Sequence, residues 1–341
     1  MTGDGRPATD VQWIGGDGVE RELVARAGLP YRSIAAGGLH GLGALAQIRN
    51  GVKLIAGTAQ VLRLIGQRRP DVMLTTGGFV AAPVAVACWL RRVPIVLYLP
   101  DVEPGQAVKF VGRFATTITV TTDESKAYFS GKNVIATGYP TRSDLLRADR
   151  AAARHRFELA DNRATLLVTG GSKGARSLNR AVTANLTTLL QKYQIIHISG
   201  ATDAVEVRGA FEALPVELKP HYHVFEYVHD MGLALAAADL VISRAGASVL
   251  GEYPLFGLPS ILVPYPYAWR YQKVNAQALV THGAAVMVED GMLNSQLLPT
   301  IEQVLGDEAR LNAMRAAARS LARPDPAQAI ANVVRAAAGA A

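Results

Sequence analysis

Thr165-Leu166-Leu167-Val168-Thr169-Gly170-Gly171-Ser172-Lys173-Gly174-Ala175-Arg176 is the stretch on which the fold turns. Five apolar or β-branched residues run into a glycine-rich turn, and a helical pattern follows from Arg176. A parallel sheet buried on both faces requires such a continuous strand. Glycines let the backbone approach an anion, and the free N–H groups and dipole of the next helix favour a phosphate there. Each exposed dipole contact contributes roughly 0.3–1 kcal/mol. Ser172 can add a hydroxyl donor. By itself the loop is either a phosphate cradle or an ordinary tight strand-to-helix turn. It is not a Walker loop, because no Lys-Ser/Thr pair follows Gly174.

The same rhythm extends in both directions. Upstream, strands are expected at Asp10–Gly15, Tyr31–Ile34, Asp71–Thr75, Pro94–Tyr98, Thr117–Thr121 and Val134–Ala136. Downstream of Thr165–Thr169 they are expected at Ile195–Ile198, His223–Phe225, Leu240–Ser243, Ser260–Val263 and Ala285–Val288. Helical patterns separate most of them. Two consecutive βα series predict an α/β chain with two doubly wound domains. The junction falls near residues 138–163, where a Gly-Tyr-Pro-Thr turn precedes a polar, Arg/Ala-rich helix. The expected division is 1–142 and 143–323, followed by a helix in 324–341. Pro324 and Pro326 set that helix apart, so that it can cross back to the first domain.

A chain of 341 residues suits two domains. Half its residues are hydrophobic and 18% are charged, which excludes global disorder. Thirty-two Gly against 8 Phe and 3 Trp speak for an α/β enzyme rather than an all-β binding module. Cys88 is the single cysteine, which excludes an internal disulfide and a Cys-based zinc site and suits a reducing compartment. The net charge of +7 is uneven: residues 1–150 hold 18 Lys/Arg against 12 Asp/Glu, and the remainder 17 against 16. A basic half points to an anionic surface. Nucleic acid is disfavoured, since no basic patch interleaved with aromatics appears. The polar opening residues predict no signal peptide, and no stretch of about 20 apolar residues predicts a membrane span. A cytoplasmic protein, peripheral to a membrane, is expected.

Further motifs sit at strand ends. Ser243-Arg244-Ala245-Gly246-Ala247-Ser248, running to Glu252, places a carboxylate one turn into a helix. It can accept from two ribose hydroxyls or simply complement the helix dipole. Tyr265-Pro266-Tyr267 leads to Gln272 and Asn275, which share a helix face and suit either sugar hydroxyls or helix capping. Gly138-Tyr139-Pro140-Thr141-Arg142 presents a cation, for a phosphate or for solvent. Thr75-Thr76-Gly77-Gly78-Phe79 lies at the strand edge where open α/β sheets bind ligands, although a tight turn reads the same. Leu39–Leu64 is basic and amphipathic, for anionic lipid or for packing on its own sheet, the commoner case.

Together these residues resemble the bacterial MurG family, lipid-linked muramoyl-pentapeptide N-acetylglucosaminyltransferases of peptidoglycan synthesis. The resemblance runs from about Val11 to Val334. Its strongest pieces are Thr75–Gly78, Gly170–Arg176, Ser243–Glu252 with Phe256-Gly257-Leu258-Pro259, and Gln272 with Asn275. It implies a GT-B fold, two Rossmann-like domains facing across a cleft. It also implies inverting transfer of N-acetylglucosamine from UDP-N-acetylglucosamine to lipid I, a β1→4 link, no cofactor and no metal. Carried over by position, Ser172 and Arg142 contact the diphosphate and Val228 lies near uracil. Ala247, Ser248, Val249 and Glu252 line the nucleoside, with Glu252 on the ribose, and Gln272 binds the donor sugar. Asn275, Gly77, Gly78 and Asp101 complete the expected substrate contacts. The first domain would hold the lipid-linked acceptor at the cytoplasmic face of an anionic membrane.

Three departures stand out. The family opens with a strand, a Gly-Gly-Thr-Gly-Gly-His loop and a helix, whereas Asp10–Gly15 looks like its second strand. The His proposed as the family's base therefore has no counterpart. A late start codon or a loss of function is expected, with two sheet edges exposed. The family's His-Glu-Gln-Asn reads Tyr98-Leu99-Pro100-Asp101. Asp101 is either a replacement base or, as expected, the cap of the helix after Pro104. Lys173 replaces Gln, and Arg270-Tyr271 replace Asp-His, which bears on sugar specificity. The alternatives are a non-catalytic UDP-sugar binder and a transferase for another lipid or secondary metabolite.

Overall fold

The computed structural model describes residues 9–18, 20–37, 44–171, 175–267 and 270–339. The first half runs β1 (Trp13–Gly15), α1 (Glu20–Arg26), β2 (Tyr31–Ser33), α2 (Ala44–Gln67), β3 (Met73–Thr75) and α3 (Ala81–Leu90). It continues through β4 (Ile95–Leu99), α4 (Gln106–Gly112), β5 (Thr117–Val120) and β6 (Val134–Ala136). After α5 (Arg150–Arg156) come β7 (Thr165–Thr169), α6 (Arg176–Ala184), α7 (Leu186–Lys192), β8 (Gln194–Ile198) and α8 (Ala204–Glu212). Then follow β9 (Tyr222–Phe225), α9 (Met231–Ala237), β10 (Leu240–Ser243), α10 (Val249–Phe256), β11 (Ser260–Leu262), α11 (Tyr271–Thr281) and β12 (Ala285–Met287). The chain closes with α12 (Leu293–Leu305), α13 (Glu308–Ser320) and α14 (Pro326–Ala337).

The second sheet is wholly parallel, in the order β12-β11-β10-β7-β8-β9, so its direction of growth reverses between β7 and β10. Every residue of β7, β8 and β10 is buried. One core packs beneath that sheet around Leu167, Ile196 and Val241, and another above it around Leu166, Ile195 and Ile242. This is the two-faced burial that continuous apolar strands demand.

The first half is built on the same plan with a break in it. β3-β4-β5-β6 form one parallel sheet, and β1-β2 pair only with each other. The two pieces lie side by side, since Ile14 and Ile34 share a core with β4 and Gly16 abuts Val80. No strand pairing joins β1 to β3 among the described residues. Laid against the order of the second sheet, the place of β7 has no counterpart there among the described residues. Trp13 and Leu74, on the strands flanking it, are 44% and 50% exposed. The two exposed edges expected from the sequence are therefore β1 and β3.

Helix α2 packs along α3 and buries Val61 and Ile65, while Val52 and Ile55 stay exposed. The last helix, α14, starts on a cap from Asp325 to the Gln328 N–H and packs on β4 and β5. The polypeptide thus returns from the second sheet to the first.

Candidate functional site

The loops after β7, β10 and β11 meet at the C-terminal edge of the second sheet, beside its switch point. Ligands of open α/β sheets bind there. Gly170-Gly171 opens the first loop, with Gly171 at φ +77° and its N–H bonded to Thr169 Oγ1 at 3.3 Å. Ser172, Lys173 and Gly174 lie outside the described residues, so the expected phosphate contact of Ser172 falls there. The chain resumes at Ala175 and enters α6, whose N-terminus adjoins the loop.

After β10, the turn Arg244–Ser248 leads into α10, which Gly257 ends in the left-handed conformation. Val249 is 3% exposed and packs in the core, so its side chain is closed to a ligand. Ala247, Ser248 and Glu252 are half-buried. Burial holds the Glu252 carboxyl above the usual glutamate range, opposed by the Arg142 charge and a hydrogen bond from Ser248.

Arg142 comes within electrostatic range of Glu252 for a local reason. Gly138, at φ +89°, turns the chain, and Tyr139 then presses onto α10. A Cβ on Gly251 would stand 2.5 Å from Tyr139 Cβ, so only glycine permits this approach. The turn therefore delivers Arg142, which pairs with Asp144 at 3.4 Å, to the Glu252 side of the site. Burial, with the carboxylates of Glu252 and Asp101, raises the Tyr139 phenol. Both acids therefore act on Tyr139. Sequence spacing assigns Tyr139 no role; the glycine inside a helix at Gly251 is the available signal.

Gln272 is oriented by the backbone. Its Oε1 accepts from Tyr265 N–H at 2.8 Å and from Ala245 N–H at 3.3 Å. That fixes the amide, and among the described residues its Nε2 donates to nothing. Val228 lines a hollow of about 130 Å³ with Phe157, Phe225 and Tyr227. Gly77 and Gly78, at φ +91° and +85°, turn the chain after β3; Val108 Cγ2 lies 2.5 Å from where a Gly77 Cβ would be.

Asn275 needs a correction. It is fully buried and spends its carboxamide inside the protein. Nδ2 donates to Asp101 Oδ1 at 2.8 Å and to Ala245 O at 3.2 Å, and Oδ1 accepts from Val102 N–H at 3.0 Å. It is a strut between the two halves rather than an open sugar contact. The cap expected from Asp101 is corrected too. Helix α4 begins at Gly105 with no side-chain cap, and the Asp101 carboxylate turns to Asn275 instead. Nearby, Arg270 bonds Glu103 at 2.5 Å.

Arg244 ties the loops together, a role that sequence spacing did not suggest. It bonds Asp290 at 2.5 Å, Ser177 at 2.9 Å and Val263 O at 3.1 Å, and lies over the Tyr265 ring at 5.3 Å. Four strand-to-helix segments are thereby fixed around one guanidinium.

Comparison with known proteins agrees with this architecture. Residues 6–120 match the glycosyltransferase family 28 N-terminal domain and residues 165–330 its C-terminal domain. A Roseiflexus sp. (strain RS-1) protein named UDP-N-acetylglucosamine--N-acetylmuramyl-(pentapeptide) pyrophosphoryl-undecaprenol N-acetylglucosamine transferase is 41% identical over 92% of this chain and 80% of its own length. A protein of the same name from Desulforamulus reducens (strain ATCC BAA-1160 / DSM 100696 / MI-1) is 34% identical over 90% of this chain and 85% of its own. The crystal structure of Acinetobacter baumannii MurG superposes with a TM-score of 0.79 at 24% identity, covering 96% of this chain and 91% of that one. The fold is therefore GT-B, two Rossmann-like domains facing across a cleft, and the chain belongs to glycosyltransferase family 28, among its MurG-type members.

Proposed function

We propose that this protein transfers N-acetylglucosamine from UDP-N-acetylglucosamine to lipid I, forming lipid II, with inversion at the sugar. One observation carries the reading. Ser248 and Glu252 follow β10, the neighbour of β7 and its glycine-rich loop at the switch point of the second sheet, and the charge of Arg142, from a turn over a hundred residues earlier, acts on Glu252. A buried carboxylate suits two ribose hydroxyls, and a cation beside a helix N-terminus suits a diphosphate. In the reaction, the acceptor oxygen forms a bond to the anomeric carbon while the bond from that carbon to the UDP oxygen breaks. The helix α6 N-terminus and Arg142 stabilise the departing diphosphate by charge already in place. Asp101 takes the acceptor proton. Asn275 holds Oδ1, and Oδ2 has no partner among the described residues.

The acceptor side is assigned to the first half, at an anionic membrane surface. Trp89, Leu90 and Phe110 are 55%, 54% and 37% exposed, and Phe114 joins the two aromatic rings. Arg91, Arg92, Lys109 and Arg113 surround them in sequence. Apolar side chains within a basic rim suit an interface of lipid headgroups. No helix among the described residues is long and apolar enough to cross a membrane.

The test is transfer of radiolabelled sugar to a short-chain lipid I analogue. It uses this chain and a version carrying a strand, a Gly-Gly-Thr-Gly-Gly-His loop and a helix ahead of β1. Label in the product supports the reading; two folded, inert proteins overturn it.

A further inference from the structure

The loop after β11 carries an aromatic pair that the donor-binding reading does not use. Tyr265 and Tyr267 are 45% and 84% exposed, in a segment where Pro264 and Pro266 restrict the backbone. Their rings meet at 5.6 Å and 70°, an edge-to-face contact.

The two rings differ in surroundings. Tyr265 is held from both ends: its N–H donates to Gln272 Oε1 at 2.8 Å, and Arg244 lies over its ring at 5.3 Å. Arg244 is anchored in turn by Asp290 and by Ser177, in the first turn of α6. Tyr267 is supported by Tyr265 along one edge and otherwise stands in solvent. A large ring left exposed offers a broad apolar face, and its edge contact with the anchored Tyr265 favours one placement of it.

The position selects the ligand. On one side, Ser177 and Arg244 connect the pair to the loop assigned to the diphosphate. On the other, the segment continues to Arg270, which crosses to Glu103 of the first half. A group attached to the terminal phosphate would lie between them. The C–H face of a pyranose is apolar and slightly positive, and the face of a tyrosine ring carries negative density.

We propose that Tyr267 is a stacking wall for the sugar ring of the nucleotide-sugar donor and that Tyr265, braced by Arg244, is its positioning residue. This rests on the donor site assigned above. With Gln272 Nε2 directed to hydroxyls, the wall separates a sugar nucleotide from the bare nucleotide.

Calorimetry with UDP and with UDP-N-acetylglucosamine tests this on the wild-type chain, Tyr267→Ala, Tyr267→Phe and Tyr265→Leu. The ring is exposed, so its loss should leave thermal unfolding unchanged. Tyr267→Ala should leave the UDP Kd within about twofold and weaken UDP-N-acetylglucosamine by about three- to tenfold, the size of one aromatic contact. Tyr267→Phe should restore the sugar nucleotide, and Tyr265→Leu should resemble Tyr267→Ala. Equal weakening of both ligands overturns the proposal, as does no change in either. So does an effect confined to the KM of the lipid acceptor, which would assign the ring to the other sugar. Retained UDP binding in these variants keeps a failure here distinct from a failure of the donor site itself.

Discussion

Asn275 and Asp101 are 174 residues apart and joined by a 2.8 Å hydrogen bond, while the same carboxamide receives the Val102 N–H at 3.0 Å. One buried side chain therefore fixes both the direction of the candidate base and the closeness of the two halves. Removing it leaves the Val102 N–H without its acceptor, at a cost of about 1–3 kcal/mol. Asn275→Ala is expected to lower kcat while UDP affinity changes little, and to reduce unfolding stability by that amount. Urea denaturation and isothermal calorimetry measure the two effects separately.

If Asp101 accepts the acceptor proton, Asp101→Asn keeps the hydrogen-bonding shape and removes the base. A positioned base contributes about 10²–10⁴ in rate, so kcat should fall by that factor with an unchanged UDP Kd. The measurement is transfer to the lipid I analogue in a version of the chain that turns over. A fall of less than threefold would remove Asp101 from the mechanism.

Glu252 should make donor binding pH-dependent. Burial raises its carboxyl above the ordinary glutamate value, and only the ionised form accepts from both ribose hydroxyls. UDP affinity is thus present above that raised value and declines as pH falls through it, earlier than an exposed glutamate would allow. Glu252→Gln should weaken UDP and flatten the profile. It should also stabilise the ligand-free protein at neutral pH, because a buried charge is removed. Titration calorimetry from pH 7.5 to pH 5, with thermal unfolding alongside, checks all three.

Gly251→Ala tests how Arg142 is delivered. The new methyl would stand 2.5 Å from Tyr139 Cβ, a backbone-proximal atom that cannot swing aside. The turn must shift away from α10 and carry Arg142 with it. UDP binding is expected to weaken by about tenfold or more, the scale of losing a charge-assisted phosphate contact. A crystal structure of the variant with Arg142 unmoved would refute the argument.

A buried histidine sets the acid limb of stability. His197 is fully buried between Tyr222 Oη at 2.7 Å and Asn179 Oδ1 at 3.0 Å, and burial pulls its imidazole down to about 3. Asn179 Nδ2 donates to Ser199 O and Asp203, so its Oδ1 faces the ring. Nε2 therefore carries the proton and Nδ1 accepts from tyrosine. A base depressed in the folded state stabilises fully above its ordinary value of 6.5 and loses that contribution as pH falls toward 3. Urea midpoints should drop between pH 7 and pH 4.5, with a slope of up to about 1.4 kcal/mol per pH unit from this group.

How much was legible varies by element. The twelve strands of the described residues coincide with expected runs; those buried on both faces, such as β4 and β7, were the plainest because they are continuously apolar or β-branched. The ends were less clear. β1 and β3 are three residues long, against five for β4 and β7, and lie at edges where fewer ladder bonds extend them. Of the candidate site, the strand-end placement of the glycine-rich loop and of the turn leading to Glu252 was legible, since each directly follows an apolar strand run. Tyr139, Arg244 and the strut role of Asn275 were not. Each acts through a partner remote in sequence, and nothing in its neighbours names that partner.

By its own pattern of apolar runs and glycine turns, then, the chain determined an α/β architecture of two βα series, because burial and backbone freedom are properties of local residues. Which polar groups face one another was decided only in three dimensions. Asn275 was free, in sequence, to bind a sugar; packing between the halves buried it, and a buried amide must find its partners within the protein. The same packing turned Asp101 from a helix cap toward Asn275.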